Sequence, residues 1–298
     1  MGDRHSTKKD ACTIGKSCIR VVEVANLSAL RALAATMNGP PKVVAQPARE
    51  RRAPVPHGRE LDRILALPRR APPSDALIEL MREAVTKPGA DLKLWPIQAQ
   101  ALLAALELTE KQPSAAGRRP GLYAPIAVGG GKTLICALLG TVWAADRPVI
   151  LTTAALAAQM EHELVRYRAS FLVPEGLVVV SYSILSHADH ANKLESLRPD
   201  ALILDEGHAL LGKSSARSKR IRRYLKAQPE TRLAILTGTA AKRSILEWAE
   251  LAGLALEHWS PAPRDRETRI KWAEALDPED AQGSILGGRD VGALKVFK

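Results

Sequence analysis

The sequence predicts a doubly wound α/β domain, in which a parallel sheet of about five strands carries helices on both faces. Five short apolar runs rich in Val, Ile and Leu alternate with helical patterns between residues 121 and 251. Continuous apolar runs of this kind are typical of parallel strands that are buried on both faces. The composition agrees, because 46% hydrophobic and 25% charged residues fit a globular chain and exclude wholesale disorder.

Each predicted element follows from its own stretch of sequence. The strands are expected at 121–126, 148–153, 176–182, 201–206 and 232–238. Helical patterns separate them, at 132–143, 156–166, 216–226 and 242–251. Two helical patterns precede the first strand, one beginning after a plausible N-cap at Ser74 and one covering 96–108.

The segments that flank this domain have a different composition. Residues 1–73 are predicted to form a basic, Pro/Arg-rich arm that is partly ordered, with 14 Lys and Arg against six acidic residues in 1–72. A basic arm ahead of a nearly balanced body indicates contact with a polyanion, and a solvated linker that contacts nothing is the alternative. The ordered domain is predicted over 74–258, and 259–298 is predicted as a linker with a short helix around 270–276.

A glycine-rich loop follows the first predicted strand and leads into a helix. In AVGGGKT, the glycines Gly129, Gly130 and Gly131 allow successive backbone N–H groups to turn toward a phosphate at the helix N-terminus. Lys132 would reach the β- and γ-phosphates of a nucleotide, and the Thr133 hydroxyl would bind Mg²⁺. The strict pattern has glycine at position 126, where this chain has isoleucine, so an accidental glycine turn is the alternative.

Two carboxylates follow the fourth predicted strand, in ALILDEGH. Asp205 and Glu206 therefore lie at the sheet edge where open α/β folds bind ligands. We expect Asp205 to hold Mg²⁺ through its water shell, and Glu206 to orient and deprotonate an attacking water. An ordinary acidic strand end is the alternative. Lys132, Asp205 and Glu206 are the predicted catalytic residues.

The fifth predicted strand ends in Thr237, Gly238 and Thr239. We expect hydroxyls at this edge to hydrogen-bond the carboxylates and His208 of the preceding strand. Such contacts would couple the nucleotide state to motion elsewhere in the molecule. A Thr-Gly turn is common, so this motif gains its meaning from its place after the other two.

In this order, GGGKT, DEGH and TGT on successive strand ends resemble the first RecA-like domain of the superfamily 2 helicases and translocases, in the DExH branch that includes Snf-type enzymes. The resemblance covers about residues 92–252. It implies a P-loop NTPase fold, ATP and Mg²⁺ as cofactors, and ATP hydrolysis coupled to movement along nucleic acid, with double-stranded DNA as the expected polymer. Ile126 and Ala240 depart from the family pattern, which leaves the sub-branch open.

The resemblance assigns further binding residues. Gln98 in LWPIQAQAL matches a glutamine that contacts adenine, with a plain amphipathic helix as the alternative. Thr152 with Thr153, and Ser181 with Tyr182, match two elements that grip the nucleic-acid backbone. Hydroxyl groups suit phosphate contacts because they donate hydrogen bonds without reading bases, although ordinary strand-end capping would explain these residues equally well.

A basic helix is predicted after DEGH, in GKSSARSKRIRRYLKA. Its 14 positions from 213 to 226 hold seven cations and no acidic residue. The cations are Lys213, Arg217, Lys219, Arg220, Arg222, Arg223 and Lys226. We expect Lys213, Arg217 and Arg220 to contact DNA, and a solvated charged face is the alternative.

The resemblance also implies a second RecA-like lobe that supplies an arginine finger. The 47 residues after Leu251 are too few for such a lobe, so we expect weak ATP hydrolysis from this chain alone. The second lobe would come from a longer protein, of which this chain would be a fragment, or from a partner chain. Two other functions remain open: a non-catalytic, ATP-responsive nucleic-acid-binding module, and a P-loop ATPase that acts on protein partners.

The expected location is the cytoplasm, without membrane contact. Three cysteines cannot form a disulfide framework, and neither a secretory leader nor an apolar run of about 20 residues is visible. A phage or prophage origin is compatible with the resemblance.

Overall fold

A computed structural model describes residues 58–67, 72–109, 121–211, 215–239 and 245–276 of the 298-residue chain. It has an α/β fold built on a five-stranded sheet, as predicted. The strands are β1 (Leu122–Pro125), β2 (Pro148–Thr152), β3 (Val178–Ser181), β4 (Ala201–Leu204) and β5 (Arg232–Thr237). All neighbouring strands are parallel, in the order β1-β5-β4-β2-β3. Each strand lies inside its predicted range.

Nine α-helices lie in the described part of the chain. Three precede the sheet: α1 (Arg59–Leu65), α2 (Asp75–Val85) and α3 (Pro96–Thr109). Four connect the strands or lie between them: α4 (Lys132–Val142), α5 (Ala154–Ser170), α6 (Lys193–Leu197) and α7 (Ala216–Ala227). Two follow the last strand: α8 (Ile245–Leu256) and α9 (Arg266–Leu276). Ser74 caps α2 as predicted, because its hydroxyl accepts a hydrogen bond from the Leu77 amide.

Two apolar cores cover the two faces of the sheet. Side chains alternate across each strand, so Ile150 of β2 packs with α2, α3, α4 and α5, whereas Val149 and Leu151 pack with α6, α7 and α8. The same alternation separates Ile203 from its neighbours in β4. This double burial explains why the strands read as continuous apolar runs in the sequence.

Helix α1 lies within the segment predicted as an arm and packs against residues of the predicted tail. Leu61 and Trp272 are buried against each other. The Arg63 guanidinium donates to the carbonyl oxygens of His258 and Ala262 at 2.8 Å each. Residues 59–65 are therefore a packed helix and not part of a linker, because Arg63 bonds a residue 195 positions later in the sequence. Residues 1–57 and 68–71 of the predicted arm lie outside the described residues.

The start of β1 requires a residue without a side chain. A Cβ added at Gly121 would lie 1.8 Å from the carbonyl oxygen of Leu233 in the neighbouring strand. We expect Gly121→Ala to lower the free energy of unfolding by about 1–3 kcal/mol, because backbone atoms must shift to relieve the clash. Gly58→Ala is the control, since no atom lies within 4 Å of its added Cβ. Urea unfolding of both variants tests this, and equal stabilities would contradict it.

Among the helices of the described ranges, none has both the length and the apolar composition that crossing a bilayer requires.

Candidate functional site

The strand order brings the three sequence motifs to one edge of the sheet. Strand β5 lies between β1 and β4, with Pro125 in register with Thr237 and Leu204 in register with Ile235. Because all strands run in parallel, the glycine loop after β1, the carboxylates after β4 and the Thr-Gly-Thr turn after β5 share the carboxyl edge. This is the edge at which open α/β sheets bind ligands.

The loop requires glycine for two reasons, namely positive φ angles and a lack of room for a side chain. Gly129 and Gly131 have positive φ angles of 85° and 71°, which side chains disfavour. At Gly130 an added Cβ would lie 2.4 Å from Cγ2 of Ile126. Ile126, which stands where the strict motif has glycine, is buried beneath the loop. The departure is thus accommodated by packing against Gly130, and α4 begins directly after the loop.

Lys132 connects the glycine loop to the DEGH segment. Its Nζ donates to the carbonyl oxygen of Ile126 at 3.3 Å and lies 3.5 Å from Oε1 of Glu206. A Cβ added at Gly238 would approach the same Nζ to 3.3 Å, so the turn after β5 borders this ion pair. Residues from all three motifs therefore meet around one ammonium group. Thr133, the second residue of α4, is half-buried next to it.

Asp205 is the buried carboxylate of the site. Only 4% of the residue is exposed, and Oδ2 accepts a hydrogen bond of 3.1 Å from the Thr152 hydroxyl. Its Oδ1 is buried without a hydrogen-bond partner. Loss of solvation raises the pKa of Asp205, the bond from Thr152 opposes that rise, and the nearby Glu206 adds to it. A cation at Oδ1 would compensate the buried charge.

Glu206 has an unusual backbone conformation. Its φ of 53° and ψ of 51° lie in the left-handed region, which is uncommon for a residue with a side chain and which Ala144, Arg198 and Glu257 share in this chain. This conformation directs the carboxylate toward Lys132 on one side and His208 Nδ1, at 3.2 Å from Oε2, on the other. The next residue, Gly207, has no room for a side chain, because a Cβ added there would lie 2.3 Å from Ile235 Cγ2.

The residues of the site are suited to hold a magnesium ion that also binds the phosphates of a ligand. Within the described ranges, no three or more His, Cys, Asp or Glu side chains group into a metal cluster. Mg²⁺ does not need such a cluster, because it keeps several waters and typically binds one or two carboxylates together with substrate phosphates. The unpartnered Oδ1 of Asp205 supplies a suitable oxygen, and the Thr133 hydroxyl is available on the first turn of α4.

Gln98 joins the start of α3 to the glycine loop. Its Oε1 accepts a hydrogen bond of 2.7 Å from the Trp95 amide, and its Nε2 lies 3.5 Å from the Gly131 carbonyl oxygen. The residue is 4% exposed, whereas Trp95 and Ile97 beside it are about half exposed. Gln98 thus lies next to the loop, and its predicted contact with adenine stays a prediction.

The Thr-Gly-Thr turn differs from expectation in its hydrogen bonds. The Thr237 hydroxyl donates to the Thr239 carbonyl oxygen at 2.8 Å and accepts from the Thr239 amide at 3.2 Å. It therefore closes its own turn rather than bonding the carboxylates or His208. Gly238 is the residue of this turn that borders Lys132 and Glu206. His208 Nδ1 lies 3.2 Å from Glu206 Oε2.

Three of the four hydroxyl residues expected to grip nucleic acid are buried: Thr152 and Tyr182 beneath the site, and Ser181, 9% exposed, at the end of β3. Thr152 is 0% exposed and bonds Asp205, and Tyr182 is 2% exposed with its hydroxyl donating to the Asp205 carbonyl oxygen at 2.9 Å. Neither side chain can reach a polymer in this structure, so the prediction is wrong for these two. Thr153 is half-buried at the N-cap of α5, where its side chain makes no capping bond, and the Ser181 hydroxyl lies 2.7 Å from that of Ser183.

The arginines of α7 serve largely as internal contacts. Arg220 donates to the carbonyl oxygens of Leu185 and His187, at 2.8 and 2.6 Å. Arg222 pairs with Glu250, and Arg223 pairs with Glu195. The cationic face is therefore smaller than the sequence suggests. Arg217, on the first turn of α7, is half-buried, and Lys213 lies outside the described residues.

No family model matches the chain, and no curated protein is significantly similar to it. The functional interpretation therefore depends on the geometry of the sheet edge.

Proposed function

We propose that the chain is the ATP-binding lobe of a nucleic-acid-dependent ATPase of the helicase or translocase type. One observation carries the proposal: Glu206 and Gly238, from the ends of two strands, border the ammonium group of Lys132, which comes from the end of a third strand. The buried carboxylate of Asp205 precedes Glu206 in the chain. A phosphate-binding loop, a metal-binding carboxylate and a second carboxylate for water activation are the parts that phosphoryl transfer requires.

Each residue has a defined task in this proposal. The glycine loop and the N-terminus of α4 would hold the phosphates through backbone N–H groups. Lys132 would exchange its Glu206 partner for the β- and γ-phosphates, which frees the Glu206 carboxylate to orient a water and accept its proton. Asp205 and Thr133 would hold Mg²⁺, which neutralises phosphate charge when bound. The Lys132–Glu206 ion pair is thus proposed to open when nucleotide enters.

The coupling to nucleic acid and the need for a second lobe belong to the same proposal. Thr153 and Arg217, which are both half-buried, are the proposed polymer contacts among the described residues, with double-stranded DNA as the expected polymer. An arginine finger from a second RecA-like lobe contributes on the order of 10³- to 10⁵-fold to hydrolysis in related sites. We therefore expect slow turnover from the isolated chain, and faster turnover once such a lobe is joined to it.

The test of this function is ATP hydrolysis with and without duplex DNA, single-stranded DNA or candidate protein partners. Support would be Mg²⁺-dependent hydrolysis that duplex DNA stimulates. Stimulation by protein alone would favour an ATPase acting on protein partners. DNA affinity that responds to ATP without any hydrolysis would favour a non-catalytic binding module.

Thr153 gives a specific expectation for the polymer contact. Thr153 is the N-cap residue of the 17-residue helix α5, and its hydroxyl makes no capping bond. The hydroxyl can therefore donate to a phosphate bound at the N-terminus of this helix. We expect Thr153→Ala to weaken duplex binding about three- to tenfold, the effect of one net hydrogen bond, with little change in thermal stability. Fluorescence anisotropy with labelled duplex measures the affinity. Unchanged affinity would remove Thr153 from the interface.

A further inference from the structure

The buried carboxylate Asp205 is held by Thr152, the last residue of β2, and by Tyr182, which directly follows β3. Thr152, the last residue of β2, donates its hydroxyl hydrogen to Oδ2 of Asp205 at 3.1 Å, and the Thr152 side chain is fully buried. The backbone is fixed as well, because the Asp205 amide donates to the Leu151 carbonyl oxygen at 2.8 Å. The carboxylate therefore has both its position and one of its oxygens determined from β2.

Tyr182, which directly follows β3, is the second residue that holds Asp205. Its hydroxyl donates to the Asp205 carbonyl oxygen at 2.9 Å, and its amide donates to the Thr152 carbonyl oxygen at 2.8 Å. Tyr182 thus bonds both Asp205 and the residue that orients Asp205. Burial of the phenol raises the pKa of Tyr182 well above its ordinary value, so the hydroxyl keeps its proton and remains a donor.

The hydrogen bond from Thr152 differentiates the two carboxylate oxygens. Oδ2 is occupied by the hydroxyl, whereas Oδ1 is buried and has no partner. A side-chain carboxylate rotates readily unless a partner fixes it, and fixing one oxygen determines where the other points. Residues that hold a metal ligand in this way commonly change metal affinity by about 10- to 100-fold when they are replaced.

We propose that Thr152 is a positioning residue, which orients the Asp205 carboxylate so that Oδ1 is presented to Mg²⁺. The inference rests on the proposed function, in which Asp205 holds that ion. It replaces the expected role of Thr152 as a nucleic-acid contact, because the side chain is closed off from solvent. Thr152 acts through Asp205 and does not itself contact ligand.

The experiment compares Thr152→Val with Thr152→Ser. Valine keeps the shape and removes the donor, whereas serine keeps the donor. A fluorescent ATP analogue is titrated into each variant at a series of Mg²⁺ concentrations at one pH, and again with EDTA. We expect Thr152→Val to raise the Mg²⁺ concentration for half-maximal binding about 10- to 100-fold, while its affinity without Mg²⁺ stays near wild type. Thr152→Ser is expected to remain within about threefold of wild type, as one retained donor predicts.

Controls separate this role from a general effect on folding. Thr231→Val removes another buried hydroxyl, which donates to the Pro199 carbonyl oxygen at 3.0 Å just before β5, and it should leave the Mg²⁺ requirement unchanged. Thermal unfolding identifies variants that do not fold, and Thr152→Ala then takes the place of Thr152→Val. A wild-type Mg²⁺ requirement in the variants lacking the donor would overturn the inference, as would a serine variant as defective as the valine variant. Absence of Mg²⁺-dependent binding in the wild-type chain would instead overturn the proposed function, and the inference with it.

Discussion

Glu206→Gln is expected to reduce ATP hydrolysis by about 10²- to 10⁴-fold while leaving Mg·ATP affinity within a few-fold of wild type. General-base catalysis contributes about that much, and glutamine cannot accept the proton of the attacking water. Glutamine has nearly the same shape as glutamate, so the left-handed turn at φ 53° and the packing around it should persist. Phosphate release under single-turnover conditions measures the chemical step, and binding of a fluorescent ATP analogue measures the affinity.

Glu195→Gln is a suitable control for this variant. Glu195 also forms an ion pair, with Arg223, but both side chains are exposed and the pair is expected to contribute little. Hydrolysis by Glu195→Gln should equal that of wild type. If Glu206→Gln hydrolyses ATP as fast as wild type, Glu206 is not the base, and the enzymatic interpretation of the DEGH segment fails.

Lys132→Ala is expected to lower nucleotide affinity by at least tenfold and to bring hydrolysis to background. The Lys132 side chain supplies the cation of the glycine loop, and its Nζ lies 3.5 Å from Glu206 Oε1, at the point where the phosphates would bind. A lost charge-assisted hydrogen bond contributes about 1.5–3 kcal/mol, or roughly 10- to 150-fold in affinity. Isothermal titration calorimetry with a non-hydrolysable ATP analogue and Mg²⁺ measures the effect.

Removing Lys132 also takes the lysine partner from the partly buried carboxylate of Glu206, which keeps its contact with His208. The Lys132 and Glu206 side chains are only 11% and 20% exposed, so the single variant can lose stability for reasons unrelated to nucleotide. The double variant Lys132→Ala/Glu206→Gln removes both charges and should regain stability while still failing to bind nucleotide. Recovery of nucleotide binding along with stability would contradict the assigned role of Lys132.

The sheet could be predicted from sequence because its chemistry is local and repetitive. The runs VIL in β2 and ALIL in β4 are apolar at every position, since both faces of these strands are buried. Ser74 marks the start of α2 as an N-cap. The edge position of the glycine loop and of Asp205 followed directly from where those runs end. Helix α1 carried a weaker signal, because this short segment has three apolar residues, Leu61, Ile64 and Leu65, and the last of them is exposed.

The direction of individual hydroxyl groups could not be predicted. Thr152 and Thr153 are adjacent and chemically identical, yet one bonds Asp205 in the core and the other begins α5 near the surface. The alternation of side chains at the end of β2 decides this difference, together with the strand order that makes β4 its neighbour. Arg220 is a similar case, because its two carbonyl partners lie more than 30 residues away in the sequence.

Binding of ATP to the wild-type chain, measured by calorimetry with and without Mg²⁺ and repeated for Lys132→Ala, tests the central claim most directly. The proposed function predicts one site per chain, affinity that increases when Mg²⁺ is present, and loss of at least tenfold in the variant. Undetectable ATP binding by folded wild-type protein, or equal binding by Lys132→Ala with its fold intact, would contradict it.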